Sequence, residues 1–349
     1  MWKIVLLLAI IIAGVIAYPS PIDSAAFQPS RPLAMNGVLA PNDALQATEL
    51  NHLPPAARGG EDVAVDRLKC IYTGTSNGDI LRKCPYSAWE TLANTGGRPL
   101  GLAFDEHANL IIADGEQGLL KLSPGHTLET LVDSYQGQRF GVVDDVDIGA
   151  DGTLYFSDAS TRFALKDYVL DALEARPSGR LFAYQPETGK LTLLADDLFF
   201  ANGVAVAADQ SFVLVNETYA YRTTRVWLSG DKAGQRDLFI SKLPGLPDGI
   251  ARDADGSFWM ALYAPRSELL DKLHPIPFAK NQLAKLPPQL APVPAPYGFV
   301  VQLDATGNII HSLHDQAAVA IGEITSVQPE SDGLYLGTLH GPSIGKLAW

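Results

Sequence analysis

One short pattern recurs along this chain and restricts its possible folds more than any other feature. It is an apolar alternation, a turn built on Asp, Ala or Ser with Gly or Asn, and a second apolar run. The pattern begins at EDVAVD (61–66), LAFDEHANLIIAD (102–114) and DVDIGADGTLYFSD (145–158). It returns at VAVAADQSFVLVNE (204–217), IARDADGSFWMAL (250–262) and ITSVQPESDGLYLGTL (324–339). Alternation of period two marks strands, and the Asp/Gly/Asn clusters mark the turns between them. Most of the six units are spaced by about 40–60 residues, the repeat length of a four-stranded propeller blade. The expected fold is therefore all-β, a six-bladed β-propeller over residues 59–349. A chain of 349 residues suits one such ring.

Two stretches break the blade spacing. Residues 163–177 carry Leu165, Val169, Leu170 and Leu173 at helical spacing, closed by Pro177. Residues 264–298 mix a short helical piece with many prolines. Both are expected as helical loop insertions over one channel mouth, either walling a substrate pocket or clasping neighbouring blades.

Before the first blade, Lys3 precedes an unbroken apolar run from Ile4 to Ala17, with small residues ahead of Tyr18. The run is shorter than the roughly 20 residues of a spanning helix, so residues 1–25 read as a secretory signal peptide, with a retained signal anchor as the alternative. Either places the body outside the cytoplasm, periplasmic or secreted, with membrane anchoring through residues 4–17 in the second case. Residues 26–58 read as an extended arm. In an oxidising compartment Cys70 and Cys84, symmetric about a turn near Asn77-Gly78, are expected to be bonded.

Some functions are disfavoured. The net charge of −13 argues against a nucleic-acid surface. No Gly-rich phosphate loop follows a strand, and no Gly-x-Ser-x-Gly elbow or zinc spacing is present.

A propeller brings the start of each blade's first strand to a common axis. Those starts carry Glu61, Asp144 or Asp145, Asn202 and Asp248, all hard oxygen donors, which suits calcium and not zinc or copper. Gly203 and Gly249, following two of them, are expected to let a ligand come close. His340 in GTLHGPSIG is a candidate base at the channel mouth; His274 in the insertion and His107 on a turn are weaker candidates. The Asn216-Glu217-Thr218 sequon falls within an expected strand.

Longer motifs carry a family resemblance. SGRLFAY (178–184), NGVAVAADQSFVLVNET (202–218), RVWLSGDKAG (225–234) and LPGLPDGI (243–250) resemble the strictosidine-synthase-like branch of the gluconolactonase, luciferin-regenerating and senescence-marker superfamily of six-bladed propellers. The resemblance runs from about Gly59 to the C-terminus. It implies calcium held by Glu61, Asn202 and Asp248, with Asp144 of Asp144-Asp145 standing where an asparagine is commoner. It also implies a hydrolase acting on a small lactone or ester, with Asp144 and His340 as candidate catalytic residues. The alternative is a non-catalytic propeller with a structural calcium. The plant alkaloid-forming enzymes carry an essential glutamate ahead of their final LYIGT-like strand. Alignment on LYLGT (334–338) puts Thr325 there, with Glu323 two residues earlier, so the amine–aldehyde condensation is disfavoured.

Overall fold

The computed structural model describes Trp2, residues 18–287 and residues 295–349. Six antiparallel sheets of four strands stand around an axis, with strands in sequence order from the inside outwards in the first five. Their inner strands are Val63–Val65, Pro99–Phe104, Val143–Ile148, Ala201–Val206, Gly245–Arg252 and Ile324–Glu330. Each touches the next, and the first touches the sixth, so the ring is closed. The mouth where these strands begin is called upper here, and the other lower. The repeated Asp-rich turns all lie at the lower mouth.

The second strand of a blade is sandwiched between neighbouring sheets, which is why Phe212–Glu217 and Gly333–Thr338 are buried at every position. Leu214, Phe258, Met260 and Phe299 fill the space between the fourth and fifth blades; Phe156 and Phe182 stack in the third, 5.3 Å apart. Such packing of β-branched and aromatic residues between sheets is the main source of stability in a radial fold.

The segment expected as an extended arm does more than lead into the body. Glu49–His52 pairs antiparallel with Ser343–Leu347 and forms the outer strand of the sixth blade. The first blade cannot open away from the last without breaking that ladder. Two 3-10 turns, Gly37–Leu39 and Ala44–Ala47, precede the strand.

Cys70 and Cys84 form a disulfide, as expected from their placement about the turn. It lies at the lower mouth, beside the paired Ile71 and Lys83.

Both insertions rise from the upper mouth. The first holds helix α1, Tyr168–Glu174; the second holds α2, Glu268–Leu273, and α3, Pro277–Leu283. Ser267 caps α2 by accepting from Leu270 N, and Pro277 starts α3 where its missing N–H costs nothing. Leu173 of α1 packs with Ala284 and with Ile22, which lies just ahead of the arm in the segment expected as leader. Arm, α1, α2 and α3 thus make one cap over the site. The proposed leader, 1–25, falls largely outside the described residues. Among the described residues no helix is long and apolar enough to cross a membrane.

Candidate functional site at the upper channel mouth

Glu61, Asp144, Asn202 and Asp248 come from four blades and line one cavity of about 320 Å³ running down the axis. All four expected ligand positions are therefore brought together. The local cause is a repeated irregularity. The strand pairing shifts register between Val143 and Val146, between Ala201 and Val204, and between Pro247 and Ile250. A bulge of this kind turns two consecutive residues off the ladder and re-aims their side chains.

The two residues of each pair do different work. Asp144 faces Asp248 and Glu61, whereas Asp145 stitches blades together: its carboxylate accepts from Val146 N at 2.8 Å and from Val204 N at 2.7 Å. Asp62 does the same toward Leu102 N at 2.8 Å, and Asp147 toward Val206 N at 2.7 Å. The choice left open between Asp144 and Asp145 resolves to Asp144 at the mouth.

The glycines need a different explanation from the one expected. A Cβ on Gly203 would lie 2.3 Å from the Asp248 carbonyl oxygen, and one on Gly249 would lie 2.6 Å from that of Thr325. They make room for the next blade, not for a ligand.

Burial is the first cause raising the carboxyl groups of Asp144, Asp248 and Glu61 above the usual range. Mutual repulsion adds to it: Asp248 and Glu61 act on Asp144, and Glu61 acts on Asp248. Asn202 partly offsets this by hydrogen bonding to Asp248. Three carboxylates, one buried and two half-buried, and one amide oxygen form a donor set that a hard cation matches in charge and in kind.

Glu61 differs from the other two acids. Its carboxylate is 2.7 Å from Arg98 Nη2, and Arg98 also donates to Gly59 O at 2.9 Å. Arg98 was not picked out from the sequence: a lone arginine ahead of a strand carries no motif. Among the described residues, no three His, Cys, Asp or Glu side chains stand in an arrangement that could hold a metal ion as they are. Glu61 is instead turned toward its guanidinium partner.

Asn216 is the sequon asparagine. It is fully buried, so no glycan reaches it. Its Nδ2 donates to the Asp248 carbonyl at 2.6 Å, its Oδ1 accepts from Thr223, and Thr218 Oγ1 donates to Pro247 O at 2.7 Å. The strand ending in Asn216-Glu217, with Thr218 just beyond it, is a bracket for the Pro-Asp-Gly turn.

At the rim, His340 is largely exposed, with Nδ1 3.2 Å from Glu323 Oε2. That hydrogen bond is the main reason its pKa is raised. Glu61 and Glu323 both act on Tyr168, the first residue of α1, so the cap reaches the mouth. The cavity lining itself comes from the inner strands. Thr325 is buried and donates to the Glu61 carbonyl at 2.7 Å. His274 is buried within the cap, and His107 is exposed at the lower mouth.

Comparison with known proteins agrees with this architecture. The strictosidine synthase family model matches residues 144–231, and the strictosidine synthase-like N-terminal model matches residues 37–83. Strictosidine synthase-like 6 of Arabidopsis thaliana is 36% identical over 292 residues, covering 79% of this chain and 75% of its own. The adipocyte plasma membrane-associated protein of Rattus norvegicus is 32% identical over 354 residues, covering 94% and 93%. Among solved structures, a gluconolactonase from Xanthomonas campestris superposes with a TM-score of 0.61 at 18% identity, covering 94% and 98%. A calcium-binding protein, regucalcin, from Agrobacterium tumefaciens gives 0.59 at 15%, covering 84% and 94%. These two share the fold. From the identity and coverage of its relatives, together with the six-bladed ring, the chain belongs to the strictosidine-synthase-like family of β-propellers.

Proposed function

We propose that this chain is a calcium-dependent hydrolase of a lactone or ester, acting at the upper mouth of the channel. The observation that carries the reading is the convergence of Glu61, Asp144, Asn202 and Asp248 on one cavity, with three acids that burial and mutual repulsion hold above their usual range. A gluconolactonase and a calcium-binding protein among the fold neighbours support it. These four residues would hold the ion, with Asn202 contributing its amide oxygen. Bound calcium supplies Lewis acidity toward a carbonyl oxygen.

The chain's own residues do the rest. Among the described residues Asp144 has no cationic partner, and it is the group placed to orient a water and take its proton. Arg98 keeps the Glu61 carboxylate in a fixed direction. His340, oriented by Glu323, is a second proton acceptor at the rim. No acid stands at Thr325, so we do not propose the amine–aldehyde condensation.

The second reading is a ligand-binding propeller with structural calcium. The Arg98–Glu61 pair favours it, because it balances one of the three acids within the chain. A panel of lactones and esters, assayed with and without chelator, separates the two. Hydrolysis that chelator removes and calcium restores supports the enzyme. Absence of turnover across the panel, with calcium still raising thermal stability, supports the binding module.

The disulfide fits an oxidising, extracytoplasmic compartment, and we propose export through the N-terminal apolar run.

A further inference from the structure

Residues 22–27, where the expected leader meets the arm, are fastened to the cap at several points. Ile22 is buried against Leu173 and Ala284. Ala25 N donates to Glu174 O at 2.9 Å, Ser24 Oγ to Pro277 O at 2.9 Å and Phe27 N to His274 O at 3.0 Å. The Lys280 ammonium reaches Ala25 O at 2.6 Å, and Arg176 holds both the carbonyl and the carboxylate of Asp23. The apolar run Ile4–Ala17 ends five residues before Ile22, a reach of at most about 18 Å. Whatever that run enters lies close to the cap.

The cap's outer side carries large apolar residues interspersed with charged ones such as Glu268 and Lys272. Phe278 is 61% exposed, Leu269 52%, Ile276 49%, Leu286 43% and Val169 40%. They sit on or beside α1, α2 and α3, whose inner sides form the cluster around Ile22. Exposed apolar residues gathered on short helices, next to a membrane-seeking segment, are the features of an interfacial surface. Leu68 and Tyr86 are also exposed, but on two lower-mouth turns of the first blade, at the opposite mouth from the cap.

We infer that the outer face of the cap, carrying Val169, Leu269, Ile276 and Phe278, rests on a lipid bilayer, with the upper mouth turned toward the membrane. The occupant is the bilayer surface, and the apolar run is the tether that presents the cap to it.

The test uses the full chain with phosphatidylcholine vesicles. Because Cys70 and Cys84 are bonded to each other, one introduced cysteine gives a single labelling site. Phe278→Cys carries an environment-sensitive fluorophore; Val169→Cys is a second reporter should the first perturb the cap. Glu187→Cys reports from an exposed lower-mouth turn. The expected result is a blue shift and severalfold quenching by nitroxide-bearing lipid at 278 and 169, with neither at 187. The proposal is overturned if the vesicle-bound chain shows no quenching at 278 and 169, or equal quenching at 187. It is equally overturned if the chain does not bind vesicles. A blue shift at 278 that grows with protein concentration in the absence of lipid shows a second copy covering the face, and also overturns it.

Discussion

The side-chain amide of Asn216 donates to the main-chain carbonyl of Asp248 at 2.6 Å, from the second strand of one blade to the first strand of the next. The contact links two motifs 32 residues apart and fixes where the Asp248 carboxylate stands. Asn216→Ala leaves that buried carbonyl without its donor, at a cost of about 1–3 kcal/mol. The expected outcome is a lower melting temperature together with weaker calcium binding. A thermal melt of the purified variant measures the first and calorimetric titration the second; unchanged calcium affinity would show that this contact does not set the Asp248 carboxylate for an ion.

Gly203→Ala tests the same junction sterically. The added methyl meets the Asp248 carbonyl at 2.3 Å, so one inner strand must shift. Overpacking of this kind costs about 1–3 kcal/mol. Activity on the best substrate of the panel should fall at least about tenfold, since a displacement of about 1 Å at a reacting site costs as much or more. Full activity in a stable variant would show that the junction tolerates movement without consequence for the site.

Asp144→Asn removes one of three converging charges. Calcium affinity should drop by about tenfold or more, and turnover should fall even at saturating calcium if Asp144 is the base. Titration and rates measured for both proteins at neutral pH separate ligand from base. Equal affinities would exclude Asp144 as a ligand, and equal saturated rates would place the base elsewhere, with His340 the next to substitute.

Arg98→Gln breaks a buried ion pair from one side. Glu61 then loses the group that lowers its pKa, and the Gly59 carbonyl loses a donor. Removing one partner of a buried pair costs about 3–5 kcal/mol. Chemical denaturation should show that loss, and added calcium should restore more stability to the variant than to the parent. No difference in calcium response would mean that Glu61 serves the arginine alone.

The cap titrates near neutrality. Asp171 of α1 is buried, accepts from Ser160 Oγ at 2.5 Å, and has its pKa raised to about 7, mainly by burial. A raised carboxyl pKa makes its contribution to stability greatest below the unfolded value near 4. That contribution is lost as pH rises toward 7, on the order of 4 kcal/mol if fully expressed. Asp171→Asn keeps a hydrogen-bond acceptor and removes the charge. The stability of the variant relative to the parent should therefore rise between pH 4 and 7 and level off above. A flat difference across that range would show that Asp171 ionises freely.

Much of this molecule is legible along the chain because a propeller is a local fold. Each blade is a run of consecutive antiparallel strands, so period-two alternation and Asp/Gly turns announce it, and six recurrences announce the ring. The helical spacing of Leu165, Val169, Leu170 and Leu173 likewise announced α1. The disulfide followed from the symmetry of Cys70 and Cys84 about one turn. Glu61, Asp144, Asn202 and Asp248 were visible because each occupies the same place in its own blade.

What the chain order could not give are the contacts that close the ring and set the site. The pairing of Glu49–His52 with Ser343–Leu347 joins residues almost the full chain apart, and nothing in either segment marks the other. Arg98 beside Glu61, Asn216 beneath Asp248, and the glycines opposite neighbouring carbonyls depend on the spacing between adjacent blades. A buried arginine, an asparagine in a strand and a glycine after a polar residue each have many ordinary uses. Only the three-dimensional packing of one blade on the next, which periodicity within a blade does not encode, selects among them.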